Sequence, residues 1–233
     1  MKICVCGISG IPAGRRGIKD PRLDRAHELV EARKKVYAPV EVGGEEASMD
    51  ADAILASRDG LTELVLKDLE FVETRLGRDP SEEERAVLLR LQEHLEGERP
   101  ASTAELSDGE WEAVAAHGFH TGRPVTVAED GELGDPDALL VRAFRGSGHI
   151  CFLTVGGSEN RAWPIRRGST AAEAAGAIHT ALEKGFIRAE VIGFEDFLEA
   201  GGETEAKRAG KQRLEMKHYV VQDYDLMNIR ANK

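Results

Sequence analysis

Residues 161–191 read RAWPIRRGSTAAEAAGAIHTALEKGFIRAEV and hold the signals that decide the fold of the second half of the chain. The stretch opens with a short strand pattern. Thr170 is followed three residues later by Glu173, and this spacing is the capping box that begins a helix. The alanine-rich run predicts a helix that ends at Gly185, because glycine is common at helix C-termini. A second strand pattern follows, so the stretch predicts a strand–helix–strand unit.

The flanking sequence extends this unit to residues 148–233. Strands are predicted at 150–155, 161–166, 189–194, 219–222 and 226–230, with a hairpin loop at 156–160 and a basic helix at 203–214. Two strands, a helix and further strands in this order indicate a β-grasp arrangement. Residues 145–148, Arg-Gly-Ser-Gly, are typical of a domain boundary, so the predicted domains are 1–147 and 148–233.

The N-terminal module begins with an alternating apolar segment, which predicts a buried strand at 2–8. A glycine-rich basic loop, Gly7–Gly17, follows it. Asp20 and Pro21 then have the form of a helix start, with Asp20 as the N-cap and Pro21 at the first helical position. The remaining predictions for this segment are a helix at 21–34, a strand at 36–42 and a loop or helix lead-in at 45–58.

An apolar stripe at helical spacing indicates a helical hairpin in the middle of the chain. The stripe from Leu61 to Leu76 predicts one helix, and Ser81 with Glu84 is a capping box that opens a second helix. The short connection predicts an antiparallel hairpin over about 61–97. Beyond it the sequence predicts a short helix opened by Ser107, a strand at 123–128, an acidic turn at 129–137 and an apolar run at 139–144.

Charge is distributed unevenly along the chain, whose formal net charge is −11. Residues 36–147 carry 10 Lys/Arg against 26 Asp/Glu, whereas residues 1–35 carry 9 against 4 and residues 148–233 carry 12 of each. This pattern argues against a general nucleic-acid coating protein, so any RNA contact must come from a local basic patch. No apolar run reaches the length of a membrane span, and the three cysteines fit a reducing compartment, so a cytoplasmic location is expected.

Six segments of the second half carry a resemblance to a known family. They are Arg161–Ile165, Gly168–Ala172, Ala174–Thr180, Glu183–Val191, Ala206–Lys211 and Tyr219–Met227. Together they resemble the C-terminal domain of YchF-type proteins of the Obg GTPase family, which is a TGS-like β-grasp domain. Met216 and Tyr224 stand where the family usually has glycine. Upstream, Asp20–Asp24, Leu64–Leu95 and Arg123-Pro124 resemble parts of the family's G domain more weakly.

The resemblance implies a mixed α+β fold class. Residues 1–147 are expected to form a degenerate α/β G-domain remnant with the helical hairpin inserted at about 61–97. Residues 148–233 are expected to form the TGS-like β-grasp domain.

The first module lacks the motifs of a P-loop nucleotidase. Such a site needs G-x-x-x-x-G-K-[ST], whose backbone N–H groups, Lys and hydroxyl hold the phosphates and Mg²⁺. The D-x-x-G and N-x-x-E motifs of the family are also missing, and its catalytic loop has no counterpart. A protein that is not an enzyme, without a cofactor or a metal, is therefore expected. The alternative is residual purine-nucleotide binding, with weak or no hydrolysis, through Gly7, Gly10, Gly14, Arg15 and Arg16.

Basic residues of the second module form a candidate docking surface for RNA or protein. The candidates are Arg161, Trp163, Arg166, Arg167, Lys184, Arg188, Lys207 and Lys211. Cations beside exposed aromatic rings suit RNA, although ordinary solvated charge explains the same residues. Since YchF proteins are associated with ribosomes, the resemblance implies a binding or regulatory factor for the ribosome, RNA or a translation-associated protein.

Two further possibilities stay open at the sequence level. The acidic hairpin at 61–97 is a candidate protein-interaction module, and an oligomer is one form of that candidate. His117 and His120 have a spacing that suits a metal on a helix, but no third ligand is evident, so no metal site is predicted.

Overall fold

The computed structural model describes residues 1–115 and 118–232. His117, one of the two histidines considered as metal ligands, lies outside the described residues. Among the described residues, no helix combines the length and the hydrophobicity that a bilayer span requires.

Eleven strands and nine helices are found in the described part of the chain. The strands are β1 Lys2–Cys6, β2 Gly14–Ile18, β3 Lys34–Val36, β4 Ala38–Gly43, β5 Ala53–Ser57, β6 Val125–Ala128, β7 His149–Thr154, β8 Glu159–Arg166, β9 Phe186–Ile192, β10 Arg213–Glu215 and β11 Leu226–Ala231. The helices are α1 Pro21–Leu29, α2 Arg58–Leu76, α3 Glu82–Glu96, α4 Asp108–Ala115, α5 Pro136–Gly146, α6 Ala171–Ile178, α7 Thr180–Lys184, α8 Phe194–Ala200 and α9 Glu203–Arg208.

The chain divides into two compact units, one of residues 1–16 and 40–147 and one of residues 17–39 and 148–233. The predicted division into 1–147 and 148–233 differs from this grouping in residues 17–39. The reason is that β3 pairs with β8 and α1 packs on β8, although both precede the first unit's main segment in the sequence.

The first sheet has the strand order β2-β4-β1-β5-β6, with β1 at its centre. β1 pairs in parallel with β4 and β5, and β5 pairs in parallel with β6. Ile3 to Cys6 are all buried. Such a continuous apolar run is typical of a parallel strand with neighbours on both sides.

α2 and α3 form the predicted helical hairpin beside this sheet. The Ser81 hydroxyl accepts a hydrogen bond from Glu84 N at 3.2 Å, as the capping box predicts. Arg75 near the end of α2 pairs with Glu84 at the start of α3, with 2.6 Å between Nε and Oε1. Val72, Leu88, Leu91 and Leu95, each 1% exposed or less, belong to the core of the hairpin.

The second sheet has the order β10-β9-β11-β7-β8-β3. The neighbours β7 and β11 are parallel, while β8 is antiparallel to β7 and β9 is antiparallel to β11. α6 lies over this sheet, and Ala171 and Ala174 pack with Phe152 and Val191 in its core. This arrangement confirms the mixed fold class and gives the strand order of a β-grasp sheet.

One prediction in the first unit is wrong. Residues 45–58 were expected to form a loop or a helix lead-in, but 53–57 form β5, buried between β1 and β6. The run Ala-Ile-Leu-Ala lacks the alternation that marks a half-exposed strand. The apolar run at 139–144, for which the sequence predicts no particular element, is part of α5, which Asp135 caps by accepting a hydrogen bond from Ala138 N at 3.0 Å.

The second unit differs from the prediction in its helix and strand ends. The helix predicted at 203–214 ends at Arg208, because Gly210 turns the chain with φ of 71° into β10. The helix predicted from 170 to Gly185 breaks at His179, whose Nδ1 accepts from Ala181 N at 3.1 Å and caps α7. No strand forms at 219–222 within this described segment, where Val220 makes only an isolated bridge to Thr170.

Candidate functional site

The carboxyl edge of the first sheet has the topology of a ligand site. β4 lies on one side of β1, and β5, which follows β4 in the chain, lies on the other side of β1. In open parallel sheets, ligands bind outside the carboxyl ends of the strands at the point where the strand order reverses. In this chain that point follows Cys6, where the glycine-rich loop begins.

Gly7 packs against the first turn of α2 at this edge. Its φ is 68°, and a Cβ added there would lie 2.3 Å from Ser57 Oγ and 3.1 Å from Gly60 Cα. Ser57 is the N-cap of α2, and its Oγ accepts from Gly60 N at 3.1 Å. A Cβ added at Gly60 would lie 2.6 Å from Cys6 O. The two glycines therefore let β1 meet the N-terminus of a 19-residue helix, where unpaired N–H groups and the helix dipole favour an anion.

The other predicted nucleotide residues lie around this edge at different positions. Gly10 has φ of 86°, and a Cβ there would lie 3.9 Å from Pro136 at the start of α5. Gly14, Arg15 and Arg16 belong to β2. Since β4 separates β2 from β1, the two arginines are about 10 Å from β1 at ordinary strand spacing. Neighbouring residues of a strand point to opposite faces, so Arg15 and Arg16 do not face one phosphate together. Their assignment to a nucleotide stays a prediction.

A thiol and two carboxylates lie together beside Gly7. The ligand atoms of Cys6, Glu45 and Glu63 all lie within 4.8 Å of one another. Burial, and then the carboxylate of Glu63, raises the pKa of the Cys6 thiol, which donates towards Gly60 O at 3.5 Å. The ammonium of Lys67 already pairs with Glu45. A protonated thiol and a neutralised carboxylate do not suit Mg²⁺, which prefers oxygen ligands.

Three of the predicted docking residues are neutralised by neighbouring carboxylates. Arg161 Nε lies 2.8 Å from Glu159, Lys207 Nζ lies 2.6 Å from Glu203, and Lys211 Nζ lies 2.9 Å from Asp196. The guanidinium of Arg161 also lies 4.8 Å from the centre of the Trp163 ring. Trp163 is half-buried, and its Nε1 donates to Thr154 Oγ1 at 2.9 Å. The interactions of these four side chains are therefore made with neighbouring residues of the same unit.

Three further cations of the set, Arg167, Lys184 and Arg188, are more available. Arg167 and Lys184 lie in or beside loops, Arg188 is exposed on β9, and none of these three has an ion pair among the described residues. Arg166 ends β8. The structure thus separates the predicted docking surface into a neutralised part and a free part, and its role in binding stays a prediction.

Sequence reasoning missed the residues that border Gly7. Ser57, Gly60 and Glu45 fall in or next to the segment 45–58, which was expected to be a loop or a helix lead-in. The available signal was Ser57 after the apolar run 53–56, because serine after a short buried strand is a common helix N-cap.

The comparisons with known proteins agree with the resemblance. Residues 149–232 match a family model named YchF-GTPase_C, described as a protein of unknown function (DUF933). The ribosome-binding ATPase YchF of Bacillus subtilis is 30% identical over 236 aligned positions, which cover 73% of this chain and 64% of that protein. The ribosome-binding ATPase YchF of Haemophilus influenzae is 57% identical over 81 residues, or 35% of this chain and 22% of that protein. The chain therefore spans less than two thirds of these relatives.

A solved structure shares the fold. The YchF GTPase of Schizosaccharomyces pombe matches with a TM-score of 0.75 at 18% identity, over 99% of this chain and 97% of that chain. The resemblance to YchF-type proteins is confirmed by these matches together.

The expectation that this protein is not an enzyme is contradicted by the comparisons. The relatives from both bacteria are named ATPases. The expectation rested on missing motifs. An absent P-loop sequence excludes one way of holding phosphates and does not by itself exclude hydrolysis. The loss of G-domain elements is likewise not shown by these matches.

Proposed function

Because the chain is related to the YchF-type proteins of the Obg family, we propose that it is a ribosome-associated protein that binds and hydrolyses a purine nucleoside triphosphate. A cytoplasmic location belongs to the same proposal. The observation that supports nucleotide binding best is the packing of Gly7 against the first turn of α2 at the switch point of the sheet.

The N-terminus of α2 is the proposed position of the phosphates. Gly60 N donates its hydrogen bond to Ser57 Oγ. The other N–H groups of the first turn point out of the helix end. Arg58 adds positive charge there: its side chain is 73% exposed and its guanidinium lies 3.5 Å from Glu129. A loosely held arginine of this kind is free to turn towards a phosphate.

Hydrolysis requires stabilised phosphate charge and a positioned water molecule. In the proposal, Arg58 and the α2 dipole stabilise the charge. Glu45 and Glu63 lie beside Cys6, whose Sγ is 3.5 Å from Gly60 O, so both carboxylates are close to the first turn of α2. Their proposed role is to orient the water. No step is assigned to a metal, since the donor set does not suit Mg²⁺.

Ribosome association is assigned to the second unit. Two relatives of this chain are named ribosome-binding ATPases, and Arg167, Lys184 and Arg188 of the second unit provide cations without ion pairs among the described residues. Cations of this kind bind RNA phosphates with an affinity that falls as salt rises.

Two measurements test the two parts of this proposal. Calorimetric titration with ATP and with GTP should give saturable binding that Arg58→Gln weakens. Co-sedimentation with ribosomes should be strongest at low salt. In the triple variant R167Q/K184Q/R188Q, the slope of log K for ribosome binding against log salt concentration should become shallower by about three. The double variant K207Q/K211Q is the matched control, because those lysines are already neutralised. Absence of ribosome binding at low salt, or equal losses in both variants, would reject this assignment.

A further inference from the structure

A cleft in the first unit lies at the edge of the sheet opposite to the one that holds Gly7. Its volume is about 630 Å³, within the range of small-molecule sites. The lining residues are Ser102, Thr103, Trp111, Gly122, Arg123, Pro124 and Val125. Val125 is the first residue of β6, which runs parallel to β5, so the cleft opens at the amino edge of these strands.

The walls of this cleft are fixed by buried hydrogen bonds. Thr121, fully buried, accepts from Ala101 N at 2.8 Å and donates from its hydroxyl to Asp68 at 2.6 Å. Asp68, 1% exposed, also accepts from Thr121 N at 2.8 Å and His120 N at 2.7 Å. A site whose walls are ordered in advance loses less entropy when a ligand binds.

One wall is an aromatic surface. The Trp111 ring meets the Phe119 ring edge-on, with centroids 6.1 Å apart, and Phe119 meets Phe71 in the same way at 5.7 Å. Trp111 is half-buried, so one part of its indole lines the cleft. A flat ring packs well on such a surface.

Three donors of the cleft lack partners within the described ranges. Ser102 Oγ is buried and has no hydrogen-bond partner there. Neither the exposed guanidinium of Arg123 nor the indole N–H of Trp111 bonds to another described side chain. A buried hydroxyl without a partner costs free energy, and an acceptor supplied by a ligand removes that cost.

We propose that this cleft binds a small aromatic anion, a flat ring that carries a carboxylate or a phosphate. The ring stacks on Trp111 and Pro124, and the anionic group accepts from Arg123 and Ser102. Among the described residues that line the cleft, Arg123 is the sole charged one, so the cleft selects an anion over a neutral or cationic ring.

The test uses 2-naphthoate as the probe, with 2-naphthylmethanol as the neutral ring and cyclohexanecarboxylate as the anion without an aromatic ring. The chain has two tryptophans, so in the NMR spectrum of Trp163→Phe the one indole N–H resonance left belongs to Trp111. We expect 2-naphthoate to shift this resonance to saturation and to bind at least about tenfold more tightly than either control. Calorimetry on the unmodified chain with the same three probes gives the ranking without any substitution.

Two variants locate the anionic group. Arg123→Gln should weaken 2-naphthoate about tenfold. Arg78→Gln, which removes an exposed charge from the same unit, should change the affinity less than about twofold. No saturable binding of 2-naphthoate, equal affinity for the three probes, or an unchanged affinity in Arg123→Gln would overturn the proposal.

Discussion

The guanidinium carbon of Arg22 lies 3.7 Å from the centre of the Tyr224 ring. The same guanidinium pairs with Asp20 at 2.9 Å and with Asp223 at 2.8 Å. Tyr224 is 2% exposed and has φ of 68°, in the left-handed region that favours glycine. Within the second unit, Arg22 therefore ties the start of α1 to the loop before β11.

Arg22→Ala should destabilise the protein strongly. The substitution removes the ion pairs of Arg22 with the buried Asp20 and with Asp223, and it removes the cation from the Tyr224 ring. We expect the free energy of unfolding to fall by about 2–4 kcal/mol in chemical denaturation. Arg25→Ala is the control, because Arg25 is exposed on the same helix and should change stability by no more than about 0.5 kcal/mol. Equal losses in the two variants would contradict this role.

Thr121→Val should weaken the first unit. Valine keeps the shape of threonine but leaves Ala101 N without an acceptor and Asp68 without a hydroxyl donor. The expected loss in the free energy of unfolding is about 1–3 kcal/mol. Thr74→Val, at an exposed position of α2, is the matched control and should be nearly neutral. A nearly neutral Thr121→Val would show that these bonds do not order the segment.

The capping box of α6 predicts a pH dependence. Hydrogen bonds from Thr170, first from its backbone N and then from its hydroxyl, lower the pKa of Glu173 below its ordinary value of 4.5. Because the folded-state pKa is lowered, the stabilisation is complete above about pH 4.5 and is lost as the pH falls through the lowered pKa. Glu173→Gln should therefore lower the Tm at neutral pH and match the unmodified protein at about pH 2–3.

The control for this pH dependence is Glu183→Gln, an exposed position in the same unit. Its Tm difference from the unmodified protein should stay small at both pH values. A Tm difference in Glu173→Gln that persists at low pH would show that the ionised carboxylate is not its source.

Comparing Gly7→Ala with Gly14→Ala distinguishes the stability lost through close packing from the stability lost through backbone strain. Both glycines have positive φ, 68° and 118°. The new Cβ at Gly7 meets Ser57 Oγ at 2.3 Å, whereas the one at Gly14 meets nothing within 4 Å. We expect Gly7→Ala to cost about 2–4 kcal/mol of unfolding free energy and Gly14→Ala about 1–2 kcal/mol, both measured by denaturant titration. Equal costs would mean that the strand end is not packed on α2 as described.

Parts of this fold follow from local signals in the sequence. The hairpin was predictable because the apolar stripes of α2 and α3 are long and Ser81 caps the second helix. α1 was predicted with its N-cap, but its end at Leu29 was missed because β3 forms by pairing with the distant β8. β5 is short, consists of small and apolar residues, and gains its strand structure from β1 and β6. Its position could not be read from periodicity alone.

The candidate sites show the same limit. Gly7 and Gly10 were identifiable as turn residues, but the contact of Gly7 with Ser57 depends on β5. Likewise, the docking set was chosen by charge. The ion pair of Lys207 with Glu203 lies within α9, but the pairs of Lys211 with Asp196 and of Arg161 with Glu159 depend on how α8 and β8 are placed. Tertiary structure decides which of these cations are free.

Phosphate release from ATP and from GTP by the purified protein, with and without ribosomes, tests the central claim most directly. The account predicts release above the buffer rate that Arg58→Gln reduces by about tenfold or more and Arg78→Gln leaves within about twofold. No release from either nucleotide under both conditions, or release that Arg58→Gln leaves unchanged, would contradict the proposed nucleotide edge.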